Sequence, residues 1–344
     1  MDVYGFLALA VFGSYFLTII ALFAVILGSL FQEYSSQQDS RRRTQANLFT
    51  LLAAGSFLHT WYYMARFLEW SFHEHDSKTL MQLQNTFAER LSKWLVDTAL
   101  FEQAWKTVCS SPLRWWLSEQ LCSYTVGTWT IFIFFEGKRH HVRHIWAYML
   151  LGQLVAISVA TNLFYVAISV SVIMPARKPL FASPVLWLSI AASLISVSYT
   201  PFTTERNFLS NLLVMHASAM VPLLFGPYLA GSPTTRFSLN YQTLLSLVFV
   251  ATAIIHAGNT ALLFSTLDEP FFSAFWSMLF SHPAQSSIGW DVIWTTFSYI
   301  IWLCVSKSAS RLPCLPFVVL TSIGVTAPML ALLDGDIEQG LRLE

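Results

Sequence analysis

Runs of about 20 mostly apolar residues, the length that carries a helix across a bilayer core, dominate this chain. They fall near 4–31, 47–71, 115–135, 145–173, 184–201, 208–230, 241–264, 287–305 and 313–333. Hydrocarbon offers no water to peptide N–H and C=O groups, so only helices and closed barrels can span it. No strand-length alternation of apolar and polar residues repeats, which sets the barrel aside. The expected fold is therefore all-α: a polytopic membrane helix bundle of about eight or nine transmembrane helices, forming one transmembrane domain over 1–344. The run at 184–201 is short and serine-rich, which leaves the count open by one. Composition agrees, with 55% hydrophobic and 11% charged residues, against about 25% charged in soluble domains. The first run lacks a basic leader and a small-residue cleavage site, and is too long for a signal core, so it reads as a first span.

Two short connectors are basic. One carries Arg41, Arg42 and Arg43, the other Lys138, Arg139 and Arg143. Two spans separate them, so they share a side, which the positive-inside rule makes cytosolic, with the N-terminus outside. Arg177 and Lys178 then fall on the opposite side. The long non-span at 72–114 repeats Leu91, Trp94, Leu95, Thr98, Phe101, Ala104, Trp105 and Val108 at spacings of 3–4. That pattern predicts an amphipathic extramembrane helix, lying on the membrane or capping the bundle. Within it, "HEHD" at 73–76 reads as a solvated polar loop. The aromatic stretch 270–280 is too short to span and reads as a surface anchor or the edge of an entrance for a lipophilic substrate.

Several function classes are disfavoured. With 19 basic and 19 acidic residues there is no global field, and a nucleic-acid partner is not expected. Cys109, Cys122, Cys304 and Cys314 show no metal spacing and read as ordinary buried thiols. His216 and His256 lack HxxxH spacing, so no metal is expected, and both read as structural donors. There is no nucleotide loop, no flavin or nicotinamide fingerprint and no DDxxD run, so no cofactor is expected. No internal repeat supports an inverted-repeat transporter.

Ionisable groups inside spans cost about 2.5–3.5 kcal/mol each on insertion scales and need a reason. In span 2, His59, Tyr63, Arg66 and Trp70 share a face, and Glu69 can pair with Arg66. Arg66 is either a structural ion pair or a ligand for an anionic or phenolic group. In span 3, Glu119 and Gln120 lie one turn inside. A carboxyl kept from water tends to hold its proton, the state a general acid needs; the alternative puts Glu119 at the headgroup level. In span 4, Gln153 and Asn162 face opposite sides, and cannot share one cavity unless the helix is interrupted. In span 8, Ser286 or Ser287 is a candidate N-cap with Asp291 in the first turns. Alternatively Asp291, flanked by Trp290 and Trp294, is an acid among aromatic faces that stabilise cations. Trp129 is a further aromatic deep in span 3.

The segments "SPLRWWLSEQL", "FIFFEGKRHH", "HIWAYMLLGQLVAIS", "NLFYVAI" and "SHPAQSSIGWDVIW" resemble a family of fungal integral-membrane proteins. That family includes the terpene cyclases of ascochlorin- and ascofuranone-type meroterpenoid pathways, and the similarity covers much of 100–300. It implies cofactor-free cyclisation of a lipophilic prenylated epoxide in the endoplasmic reticulum membrane. An acid would protonate the epoxide, and proton loss or an internal hydroxyl would quench the cation. Carried onto this chain, the candidate acids are Asp291 and Glu119. Candidate substrate contacts are Gln120, Arg66, His59, Tyr63, Trp129, Gln153, Asn162, Trp290 and Trp294. One departure is Thr161, where the family pattern suggests an amide beside Asn162. Against the cyclase stand a small-molecule transporter and a non-catalytic membrane protein, and oligomeric state is not legible.

Overall fold

The computed structural model describes residues 3–79, 86–171, 181–229, 237–306, 318 and 321–340. Arg177, Lys178 and Cys314 lie outside the described residues. Those residues are overwhelmingly helical, and the sheet among them is one antiparallel contact of Phe181–Ala182 with Leu239–Asn240.

Among the described residues, five stretches are long and apolar enough to cross a membrane: Val3–Ser36, Pro184–Phe202, Phe208–Phe225, Tyr241–Thr266 and Pro283–Val305. They contain α1 (Val3–Ser36), α9 (Pro184–Tyr199), α10 (Phe208–Leu229), α11 (Tyr241–Thr266) and α13 (Pro283–Ser306). In α1 and α11 only 17% of the apolar window is buried inside the protein. Leu17, Ile20, Ile254 and Phe264 are among the side chains they leave uncovered. A continuous apolar surface of this kind is stable against lipid, not water.

The remaining helices are less apolar or shorter, and they build the interior. The 40-residue α2 (Ser40–Thr79) is about 60 Å long at 1.5 Å per residue, so it overshoots a bilayer core of about 30 Å. Its overhang contains 73–76, which is therefore helix and not a loop. There Asp76 is buried and ion-paired with Arg90, and His75 meets Asp97 at 2.9 Å. These contacts dock α3 (Phe87–Thr98), which opens on a Thr86–Glu89 capping box. The amphipathic segment is thus two helices. Ala99, at φ 43°, turns the chain from α3 into α4 (Leu100–Val108). The stretch near 270–280 forms α12 (Phe271–Leu279), with Phe272 and Trp276 exposed.

The third apolar run holds α5 (Pro112–Tyr124) and α6 (Thr130–Arg139), joined through a π-turn at Thr125–Trp129. The fourth departs most from the sequence expectation. Over its described residues, 145–171, this run does not form one span. The helix stops at Leu154 (α7, Ile145–Leu154), Ala156 is extended at φ −171°, ψ 140°, and α8 (Ile157–Val170) runs back. The two halves pack side by side, with Tyr148 and Phe164 rings 5.4 Å apart. Gly152 allows the close approach at the tip: a Cβ there would sit 2.8 Å from Ile157 Cδ1 and 3.3 Å from Ala160 Cβ. The returning end reaches the basic connectors. Arg42 donates to the Ser171 carbonyl (2.6 Å), Gln37 to the Val170 carbonyl (2.9 Å), and His140 Nδ1 meets Ser171 Oγ at 2.7 Å. This is a re-entrant helical hairpin whose two ends lie on one side. Non-helical backbone is tolerated at such depth only when protein or a cavity surrounds it, and every residue of α8 is buried. The last helix, α14 (Ile323–Gly340), packs on α5 and α11.

Of the described thiols, Cys122 is buried and Cys109 partly so, with its thiol pushed up to about 12 by desolvation. Cys304 is exposed on the outer face of α13, contrary to the expectation of a buried thiol.

The hairpin makes a topological prediction. In a background without Cys304, single cysteines at the exposed positions His141 and Phe181 should react with an impermeant maleimide from the same side of sealed vesicles. Labelling from opposite sides would mean that 145–173 crosses the membrane once.

Candidate functional site

The tip of the hairpin creates a local problem. The first N–H groups of any helix lack intrahelical partners, and those of α8 begin inside the bundle. Ala156, at the cap position, has no side chain to offer them. Asp291 supplies the acceptor from another helix. Its Oδ2 accepts from the Ile157 N–H (2.9 Å) and its Oδ1 from the Ser158 N–H (2.8 Å). The hydroxyls of Ser158 and Thr295, both fully buried, stand beside the same carboxyl. Removing a carboxylate from water costs several kcal/mol. Hydrogen bonds to a charged group recover about 1.5–3 kcal/mol each, and the positive end of a helix adds to them.

Asp291 does not start its own helix. The helix α13 begins at Pro283, which puts Asp291 in its third turn. Ser286 Oγ donates to the Leu279 carbonyl (2.8 Å) and Ser287 Oγ to the Thr60 carbonyl (3.1 Å), so neither acts as the expected cap.

Asp291 also lies on the wall of a cavity of about 720 Å³, beside Ala284, Ser287 and Ile288 of the same helical face. Small-molecule sites commonly occupy about 300–1,000 Å³. The walls are mainly apolar and aromatic: Phe12, Tyr15 and Phe16 from α1, Trp61 and Phe67 from α2, Phe101 and Trp105 from α4. The amphipathic segment therefore roofs a chamber in addition to covering the bundle. Tyr15 donates to the carbonyl of Leu154 (2.7 Å), which satisfies the last residue of α7. Gln153 Nε2 donates to the His216 carbonyl (3.1 Å) and ties the tip to α10. Gln153, His216, Thr60, Thr125 and Ser287 are polar side chains that join Tyr15 around the chamber.

Among the residues singled out from sequence, Asp291 and Gln153 line this cavity. Asn162 points elsewhere, donating to the Ser158 carbonyl and to Ser298 Oγ (both 2.9 Å). Thr161 is buried and is not on the wall. Glu119 is fully buried outside the chamber, where it accepts from Ser123 Oγ (2.6 Å) and meets His256 Nδ1 at 3.0 Å. The two carboxyls thus belong to separate interiors. Gln120 is buried on the same helix, with Nε2 directed at the Trp116 carbonyl (3.4 Å). Trp129 lies in the core, stacked between Tyr124 and Phe132.

The face of α2 read as a binding surface instead forms a seam with α13. His59 packs on Trp290 at 4.2 Å and on Tyr63 at 5.7 Å, and accepts from Trp294 Nε1 at 3.2 Å. Arg66 pairs with Glu69 at 2.6 Å, both more than half exposed. Trp290 and Trp294 consequently do not frame Asp291. A helix turns by about 100° per residue, and the tryptophans point to the α2 seam while Asp291 faces the tip. The aromatic faces around the acid come from α1, α2 and α4. Tyr15 and His216 were not legible as site residues, because their neighbours arrive from distant parts of the chain. The aromatic spacing of Phe101 and Trp105 was the one available signal.

Residues 100–169, from α4 to the end of α8, match the family described as Protein of unknown function DUF2834. No curated protein and no solved structure matches the chain. The matched stretch contributes the roof and the hairpin, while Asp291 lies outside it.

If Asp291 completes α8, its removal should destabilise the bundle. Asp291→Ala leaves two buried N–H donors, at about 1–3 kcal/mol each, and should lower the unfolding midpoint in detergent more than Asp291→Asn, whose carbonyl oxygen keeps one acceptor. Equal midpoints for wild type and Asp291→Ala would contradict the capping role.

Proposed function

We propose that the chain is a membrane-bound, cofactor-independent terpene cyclase that opens a terminal epoxide on a prenylated, meroterpenoid-type substrate. The observation that carries this reading is a buried carboxyl on the wall of an aromatic chamber. Such a chamber suits a lipophilic chain entering from the bilayer, in the endoplasmic reticulum membrane with the basic connectors facing the cytosol. Asp291 in its acid form gives its proton to the epoxide oxygen. The C–O bond breaks as an alkene of the same chain attacks the carbon, closing a ring and moving positive charge along the chain. The wall residues Trp61, Phe67 and Trp105 supply aromatic rings that would stabilise that charge by cation–π attraction, and the apolar wall would keep water from trapping it. The Ile157 and Ser158 N–H groups hold the carboxylate that the transfer leaves behind. Their bonds strengthen as the charge develops, the differential stabilisation on which catalysis depends.

The test uses purified protein with a prenylated epoxide and no added cofactor. Wild type should yield an isomeric cyclic product. Asp291→Asn should lower turnover per folded molecule by about 10²–10⁴-fold, the usual contribution of a general acid. Glu119→Gln should retain turnover, since Glu119 lies outside the chamber. Normal cyclisation by Asp291→Asn would sink the assignment.

One observation favours a second reading, a small-molecule transporter. Discontinuous helices whose half-helix ends meet a binding site deep in the bundle recur in secondary transporters, and α7–α8 is such an element. Solute flux in reconstituted vesicles, with no epoxide isomerised, would select it.

A further inference from the structure

The chamber holds a second group suited to proton transfer. His216 lies on α10 at its wall, half-buried. Its Nδ1 is 2.8 Å from the Leu212 carbonyl. A carbonyl only accepts, so Nδ1 carries hydrogen, and in the neutral ring the lone pair is on Nε2. Phe101 and Trp105 hold the ring edge-on, with centroids at 5.9 Å and 5.4 Å. The hairpin tip connects the two groups: Gln153 binds the His216 carbonyl, and Ile157, four positions on, binds Asp291.

A cyclisation begun by a proton must end by losing one or by capturing a nucleophile. The carboxylate and imidazole side chains on the wall that can act as a base are Asp291, Glu102 and His216. Once ionised, the Asp291 carboxylate is held by two N–H groups, which weaken it as a base. Glu102 is already paired with Lys106 at 3.0 Å. His216 has its Nδ1 engaged and its Nε2 available.

Building on the cyclase reading, we propose that His216 Nε2 is the base that ends the reaction. It removes a proton from a carbon adjacent to the final cation. The C–H electron pair becomes the new alkene, and the imidazole becomes imidazolium. Asp291 has lost one proton and His216 has gained one, so substrate and product are isomers. The enzyme resets when that proton returns to Asp291 through water admitted as product leaves. The product class is thereby specified as a cyclic alkene bearing the hydroxyl derived from the epoxide.

The experiment reads product ratios from the purified full chain fed a prenylated epoxide. His216→Asn keeps a donor near the Leu212 carbonyl and removes the distal nitrogen, and His216→Gln provides a second geometry. Both should lower the ratio of cyclic alkene to water-trapped diol by roughly tenfold or more. A merely structural histidine would lower total product and leave that ratio unchanged. An unchanged ratio from folded variants, with wild type active, overturns the role of His216 and leaves the cyclase reading standing. If wild type isomerises no epoxide, both fall together.

Discussion

The interior depends on one pair of hydrogen bonds: the carboxyl of Asp291 accepting from the start of α8. A helix that begins inside a membrane protein presents unpaired N–H groups where water is scarce, and each would cost several kcal/mol in hydrocarbon. The same environment makes an isolated carboxylate costly. Each therefore supplies the partner the other needs. The contact fixes the hairpin tip against α13, and the tip in turn shapes the floor of the chamber.

Around that contact the satisfied groups form a connected set. Tyr15 closes the end of α7, Gln153 joins the tip to α10, and Asn162 joins α8 to Ser298 of α13. Each bond reaches a different helix, so hydrogen bonding, more than apolar contact, specifies where the hairpin sits. Association of helices in lipid lacks a strong hydrophobic driving force, and polar contacts of this kind supply specificity. The pair Glu119–His256 does the same between α5 and α11.

The sequence revealed the helical class and the amphipathic cover and drew notice to Asp291, because each leaves a local trace: run length, 3–4 spacing, an acid in an apolar context. The hairpin left less. Gly152 and the short apolar tract "LVAIS" carry no proline or charge to mark a break, and hydropathy registers 145–173 as a span whichever way the chain turns. The opposite directions of Gln153 and Asn162 gave no sign of it, since one amide lines the chamber and the other makes an interhelical hydrogen bond, as an unbroken helix would also allow. The role of Asp291 as cap was hidden because its partners lie 133 and 134 positions away. The seam of His59, Trp290 and Trp294 was misleading for a related reason: shared faces are visible in sequence, whereas what each face meets is not.

The complete burial of α8 also bears on how the protein is made. Its contacts come mainly from α1, α2 and α7, already synthesised, and from α13, synthesised more than a hundred residues later. While the ribosome is still extending the chain, the tip has no Asp291 to receive its N–H groups. The hairpin must therefore wait, shielded by α1 and α2 or by the insertion machinery, and lock only when α13 arrives. Assembly of the bundle and completion of its acidic chamber are then the same late event.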